Sequence, residues 1–354
     1  MKKSIYRALM LAFGLLFGLA MAEIACKFVD LRAAQQYRRA FSPITRPSRI
    51  PGVRFELIPG SSGTPPGHSK FIRVNQLGFR GPELAIAKSS NTYRIAVLGD
   101  SIAFARYLDA EDAFPGLLPD RLVARVPGRR FEVVNASLGG RDTWEEVVLL
   151  EQRVLDLQPD LVVMQVCLND HLRLPTPDPN DNRGLYGERS WYAYSSLCDR
   201  LDRRFPRFRK WHVAAATRLG FDMRTPAEVI KECVLDPRFI HDVQGDWPTW
   251  REQFLKADEL CRQRGAGFLI AVFPTARLLG SEQEQTIPEL SALARERGIP
   301  CVDLLQPFRA ERSSVLKDWT HPNKRGQALA ADVIADAIQK EFFPSSVAAV
   351  DSAH

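Results

Sequence analysis

No two cysteines in this chain stand in a C-x-x-C arrangement. The six present, Cys26, Cys167, Cys198, Cys233, Cys261 and Cys301, are scattered along 354 residues. Such spacing fits neither a zinc site nor a dithiol redox motif. The chain also lacks an internal repeat, which excludes a solenoid or propeller. It has no helix-turn-helix pattern, and no basic run is interleaved with aromatic residues. The net charge is +6, but the excess is spread over many arginines. Nucleic acid is therefore not an expected partner. Arginine-rich surface facing an anionic envelope is the simpler reading of that charge.

What is present begins at the N-terminus. Lys2, Lys3 and Arg7 precede an apolar run from Ala8 to Ala22. A positive segment followed by such a run is the pattern of an export signal. Ala20-Met21-Ala22 would serve as a cleavage site. The apolar character resumes past Glu23 through Ile24, Ala25, Phe28, Val29 and Leu31, so the segment also reaches the length of an uncleaved membrane anchor. Both readings place the body of the protein outside the cytoplasm, either anchored in the inner membrane or free in the periplasm. Cys26 lies in a poor context for lipidation. In an oxidising compartment Cys198 and Cys233, which share one irregular region, are the expected disulfide pair. The other cysteines read as small buried apolar residues.

The expected organisation is a signal or anchor with a juxtamembrane helix over 1–40, then a linker and N-terminal arm over 41–92. The main domain covers 93–342 and a tail covers 343–354. Proline, glycine and serine are frequent from Phe41 to Lys70, as in Pro65-Pro66-Gly67. In the following Gln76-Leu-Gly-Phe-Arg-Gly81, the glycines suit tight turns, and Phe79 is expected to pack on the main domain.

In the main domain, short apolar runs alternate with segments of helical period. Ile95–Leu98, Phe131–Asn135, Leu161–Val166, Gly267–Phe273 and Pro300–Leu304 read as strands buried on both faces. Phe114–Val126, a segment capped by Asp142 or Thr143, Trp250–Arg264, Ile287–Arg297 and Lys324–Phe342 read as helices. Strand and helix in alternation imply right-handed crossovers and a parallel sheet. Residues 171–248 break the pattern with Pro175, Pro177 and Pro179 and a group of aromatics, Trp191, Tyr192 and Tyr194. They read as an insertion over the strand ends, a lid or substrate platform.

Four short sequences fall at strand ends or before a helix. They are Gly99-Asp100-Ser101, Asn135-Ala-Ser-Leu-Gly-Gly140, Asn169-Asp170 and Asp318-Trp-Thr-His321. Each alone is ordinary turn or cap chemistry. Together they offer what acyl transfer from an ester needs: a nucleophile, a base, an orienter for that base, and donors for an oxyanion. Ser101 is the candidate nucleophile, His321 the base, and Asp318 the group that orients His321. On a helical turn the three-residue spacing would put Asp318 and His321 on one side. The backbone N–H groups of Ser101 and Gly140 and the side-chain amide of Asn169 are the candidate oxyanion donors.

These four blocks, in this order, resemble the SGNH (GDSL-type) hydrolase superfamily over roughly residues 93–342. The segment Gln76–Gly81 is similar to one found in its membrane-anchored bacterial members. The resemblance implies a three-layer α/β/α sandwich with a five-stranded parallel sheet, and neither a cofactor nor a metal. Two departures stand out. Cys167 occupies the place of a usual glycine in the third block, where its side chain could narrow the site or shift Asn169. Gly139-Gly140 doubles the glycine of the second block, and counting from Asn135 favours Gly140 as the donor.

The expected activity is that of an extracytoplasmic serine esterase acting on O-acyl groups of an envelope glycan or a similar ester. The same residues would serve an O-acetyltransferase for exported polysaccharide, in which a sugar hydroxyl replaces water. A third reading is a non-catalytic glycan-binding or scaffolding protein on this fold.

Overall fold

The structure, a computed structural model, describes residues 2–41, 43–65, 70–168, 170–171, 201, 204–205, 207 and 239–344. The chain divides into two compact units. One comprises Met1–Phe41 with Pro177–Val229, and the other Ser42–Thr176 with Ile230–His354. Most of the expected insertion, with the Trp191 aromatic group and the Cys198–Cys233 pair, lies outside the described residues. Cys26, Cys167, Cys261 and Cys301 form no disulfide. Cys167 and Cys261 are buried, as expected, whereas Cys301 is partly exposed.

In the first unit the described structure is essentially one helix, α1 (Lys2–Phe41). Within it Ile5–Cys26 is a 22-residue stretch of mean hydropathy 2.1. That is long and apolar enough to cross a bilayer.

The second unit is built on five parallel strands: β5 (Thr92–Leu98), β6 (Arg130–Asn135), β7 (Leu161–Val166), β8 (Gly267–Val272) and β9 (Cys301–Asp303). Their order across the sheet is β6-β5-β7-β8-β9. Every pairing is parallel, for example Val97 beside Asn135 on one side and Val163 on the other. The expected parallel α/β sheet of five strands is borne out. Strand alternation explains why the runs are apolar throughout. Ala96, Leu98, Val162 and Met164 face one helical layer, while Ile95, Val97, Leu161 and Val163 face the other.

The first layer contains α4 (Thr143–Leu149), α5 (Phe239–Gln263) and α7 (Pro288–Arg297). Trp250, Phe254, Leu290 and Leu293 supply its buried face. The helical phase begun in α4 carries on through Leu157, so Val147, Leu150, Val154 and Leu157 all turn inward. The second layer contains α3 (Phe114–Arg125), α8 (Leu305–Glu311) and α9 (Lys324–Phe342). Phe114, Leu118, Leu122, Ile334 and Ile338 are its core. Two shorter helices, α2 (Ser101–Phe104) and α6 (Ala276–Leu279), follow β5 and β8. Gly298, at φ +64°, ends α7 in a left-handed cap.

The strand order fixes where a ligand can reach the sheet. From β5 the chain passes to β6 at one edge, then crosses to β7 on the opposite side of β5. This reversal leaves a crevice at the carboxyl ends of β5 and β7. The loops that follow β5, β6 and β7 carry the first three sequence blocks.

The N-terminal arm is folded rather than loose. Two small hairpins, β1 (Thr45–Pro47) with β2 (Phe55–Leu57) and β3 (Ser62–Gly63) with β4 (Ile72–Arg73), lay Ile44, Leu57, Ile72 and Val74 against Phe104 and Leu138. Phe79 is buried in the main core, as expected. Arg80 pairs with Asn135 at the end of β6 and donates to the carbonyls of Phe104 and Leu108. Burial lowers the Arg80 pKa to about 10, so the guanidinium remains charged at neutral pH.

Candidate active site

The turn after β5 is set by its glycine and by a glutamine from the neighbouring strand. Gly99 has φ +159°, and a Cβ there would come within 2.5 Å of Gln165 Oε1. That oxygen accepts from the backbone N–H groups of Asp100 and Ala103, at 3.1 and 3.2 Å. Asp100 then caps α2, its Oδ1 accepting from Ile102 N–H at 2.8 Å. Ser101 is the first helical residue and is partly exposed at the sheet edge.

His321 reaches this serine from the other end of the chain. Its Nε2 lies 2.9 Å from Ser101 Oγ, and its Nδ1 lies 2.9 Å from each carboxylate oxygen of Asp318. Donation by Nδ1–H to Asp318 leaves Nε2 free to accept the serine proton. The segment that carries the pair is not the helical turn expected from the spacing. It is a bend closed by Asp318 itself, whose Oδ1 accepts from the backbone N–H groups of Thr320 and His321 at 3.1 and 2.9 Å. An antiparallel bridge between Leu316 and Pro322 ties its ends. The helix α9 is capped two residues after His321, where Asn323 accepts from Gly326 N–H at 3.1 Å.

The Asp318 carboxyl sits below its ordinary pKa. Burial alone would raise it, but the two backbone donors and the His321 ring outweigh that effect. Tyr107 steadies the imidazole. Its ring meets the His321 ring edge-on at 5.7 Å, and its hydroxyl donates to Pro322 O at 2.6 Å. Gln327 of α9 donates to Ile102 O at 2.9 Å and accepts from Phe114 N–H at 2.8 Å. The His321-bearing end of the chain is thereby joined to the helix that carries Ser101.

The loop after β6 passes beside Ser101. A Cβ on Gly139 would lie 3.6 Å from Ser101 Cβ, and Gly140 has φ +81°. Among the described residues, no acceptor takes the N–H of Ser101 or of Gly140. Asp142 and Glu145 then form a reciprocal capping box at the start of α4. The structure therefore brings Ser101, His321 and Asp318 into one hydrogen-bonded line, with Gly139 and Gly140 alongside. Asn169 lies outside the described residues.

Cys167 begins the loop after β7. Its N–H donates to Asp170 Oδ2 at 2.7 Å, and its thiol lies 3.5 Å from Asp170 Oδ1 and 3.6 Å from Asp100 Oδ2. The ligand atoms of Asp100, Cys167 and Asp170 fall within 4.8 Å of one another. They already bond to each other and to backbone N–H groups, which leaves this trio a hydrogen-bonded support for the two loops. It does not have the character of an open coordination sphere.

A second buried acid, Glu146, is pushed well above the usual carboxylate range by burial and by the nearby charges of Asp170 and Asp100. Asp170 moves the same way, through burial and Asp100. A carboxyl that keeps its proton in the fold but loses it on unfolding stabilises the protein at low pH. That contribution is lost as pH rises through the folded-state pKa. Glu146→Gln cannot ionise, so its Tm should gain on wild type progressively as pH is raised above about 4.3. The difference in slope can reach about 1.4 kcal/mol per pH unit for one proton. Parallel Tm curves for the two proteins between pH 5 and 9 would show that Glu146 is not held neutral.

Against known protein families, residues 97–329 match the model of the GDSL-like lipase/acylhydrolase family, which is more than half of the chain. The chain belongs to this family. All the candidate catalytic and oxyanion residues fall inside the matched segment, whereas the N-terminal arm precedes it. An arylesterase of Vibrio mimicus is 34% identical over 87 residues. The match takes in 25% of this chain and 42% of that relative, so less than half of the relative's length is spanned. Among solved structures, TesA is 17% identical, with 70% of this chain and 98% of that one covered and a TM-score of 0.42. The acetyl xylan esterase AlAXEase is also 17% identical, covering 69% and 99%, with the same TM-score of 0.42. The psychrotrophic esterase EstA from Pseudoalteromonas sp. is 16% identical, covering 70% and 97%, at 0.37.

Several residues of this GDSL-family site were not visible in sequence. Gln165 lies inside a strand run, Tyr107 in a turn, Gln327 in a helix, and Arg54 and Arg80 in the arm. Their partners are tens to hundreds of residues away, as in the 215-residue separation of Tyr107 from Pro322. A local pattern carries no trace of such contacts.

Proposed function

We propose that this GDSL-family protein is an extracytoplasmic serine esterase that removes O-acyl groups from an envelope glycan or a similar ester. The observation that carries the reading is the line Ser101 Oγ–His321 Nε2, 2.9 Å, with Asp318 on the opposite ring nitrogen. Ser101 Oγ attacks the acyl carbon as His321 Nε2 takes its proton. Asp318 holds the ring in the accepting tautomer and stabilises the imidazolium. The developing oxyanion is met by the N–H groups of Ser101 and Gly140 and by the amide of Asn169. His321 returns the proton to the departing alcohol. It then activates a water, which attacks the acyl-Ser101 ester and frees the carboxylic acid.

A compartment outside the cytoplasm is supported by Ile5–Cys26, preceded by Lys2, Lys3 and Arg7, as signal or anchor. A glycan alcohol is supported by two partly exposed indoles. Trp319 stands between Asp318 and His321 in the chain, and Trp144 follows the Gly140 loop. Both pack against the core under α4, α5 and α7 and leave part of the indole exposed near these blocks in the chain.

Incubation with acetylated xylan in the absence of any acceptor, followed by assay of free acetate, tests this reading. The esterase releases acetate at a rate that added deacetylated glycan does not suppress. Retention of acetyl on added acceptor, with little free acetate, would replace hydrolysis by transfer.

A further inference from the structure

Arg54 stands on the arm, outside the segment that matches the family, between β1 and β2. Its side chain is almost entirely buried. Nη2 donates both to the carbonyl of Gly140 and to Glu145 Oε2, the latter at 2.6 Å, while the Arg54 backbone N–H donates to Glu145 Oε1 at 2.6 Å. Glu145 Oε2 in turn accepts from Asp142 N–H in the capping box. One guanidinium thus clasps both ends of the segment Gly140–Glu145.

Gly140 needs such a clasp. Its φ of +81° lies where glycine has free choice of conformation, and a Cβ placed there would meet nothing within 4 Å. Neither local sterics nor side-chain packing therefore selects the direction of its peptide groups. A turn hydrogen bond from Arg141 N–H to Leu138 O, at 3.2 Å, holds this peptide locally, and Arg54 holds the carbonyl of the same peptide from outside. Arg141, the next residue, is anchored in a similar way, donating to Ala136 O and to Phe55 O of the arm.

We propose that Arg54 is a positioning residue for the oxyanion-binding loop, so that the N-terminal arm and the GDSL domain form one catalytic unit. The inference rests on the reading of Gly140 as an oxyanion donor to a serine-bound intermediate. Arg54 acts one peptide away from that donor, through the Gly140 Cα, and touches no reacting atom. Its loss should therefore lower kcat while leaving KM nearly unchanged, because ground-state binding of the ester does not call on the oxyanion hole.

Truncating Arg54 alone would strand the buried Glu145 carboxylate and threaten the fold. The pair Arg54→Met with Glu145→Gln removes both charges, and the glutamine retains capping ability. The full chain carrying this pair is compared with wild type for Tm, for kcat and KM on a chromogenic acetyl ester, and for the rate at which p-nitrophenyl methylphosphonate labels Ser101. The phosphonyl oxygen of that probe calls on the same donors as the ester oxyanion. Expected is a folded protein with kcat and labelling rate both down by about 10- to 100-fold, KM within about two-fold, and an unchanged pH midpoint. If the double variant does not fold, Arg54→Lys decides the matter. It keeps the charge beside Glu145 but not the planar fork, and a several-fold fall in kcat at wild-type Tm supports the assignment. Wild-type kcat and labelling in either folded variant overturn it. A wild type whose Ser101 is not labelled at all overturns the serine-esterase reading, and the inference with it.

Discussion

Replacing Ser101 by alanine should reduce turnover of a chromogenic acetyl ester by on the order of 10⁵-fold, with little change in Tm. The hydroxyl is partly exposed and meets the side chains of His321, at 2.9 Å, and Asp100, at 3.3 Å, while the turn itself is held by Gln165 and by the Asp100 cap, so its loss leaves that turn intact. His321→Ala should cost about as much, since nucleophile and base act as a unit and the effect of removing both is far from additive. Its ring contacts Tyr107, so a small fall in Tm is expected in addition. Steady-state assays of the two single variants and the double variant make the test. If Ser101→Ala kept more than about one hundredth of wild-type turnover, a nucleophile other than Ser101 would be required.

The second large effect is expected for Asp318→Asn, with kcat down by about 10⁴-fold at neutral pH. The amide can still accept from Thr320 and His321 N–H through its oxygen, which preserves the bend. Its NH₂ group, however, would face His321 Nδ1 as a donor. The imidazole would then carry its proton on Nε2, pointing at Ser101, and could not accept. Comparison with Asp318→Ala separates the two roles of this carboxylate. Alanine loses the bend as well as the charge, and should lower Tm where asparagine does not.

The pH dependence follows from the direction of the Asp318 shift. A carboxyl held below its ordinary pKa in the fold stabilises the protein above the unfolded value of about 3.9, and this stabilisation is lost as pH falls through the folded value. Asp318 therefore stays ionised down to a pH below about 3.9. In Asp318→Asn the stability loss below about pH 4 should be shallower than in wild type. Equal acid unfolding profiles would mean that the carboxylate contributes nothing through its charge.

The second unit was legible in sequence because most of it is periodic. Five apolar runs became five parallel strands, four of them with the expected bounds to within a residue, and Lys324–Phe342 matched its helix end to end. Strands buried on both faces leave an apolar run without alternation, and the intervening helices show their buried stripe. The site residues were legible for a different reason. A serine, a histidine and carboxylates at strand ends or before a helix have little structural excuse when four such blocks occur in one order. The bend at Asp318–His321 was misjudged because a three-residue spacing suits a helix and an Asx-type turn equally well. The choice was made by a hydrogen bond from a side chain to the backbone, which spacing does not encode.

By itself, then, the sequence determined the sheet, its helical layers and the identity of Ser101, Asp318 and His321 as partners. These follow from local hydrophobic period and from residue chemistry. Only the tertiary structure decided that the arm is folded against the loops of the site, with Arg54 on Gly140 and Arg80 on Phe104. Only it showed Glu146 and Asp170 sharing a buried acidic neighbourhood behind the nucleophile. Charges and glycines look alike along a chain whether they face water or another segment. What distinguishes them is the partner brought close by folding, and with it the loss of solvent that gives such contacts their strength.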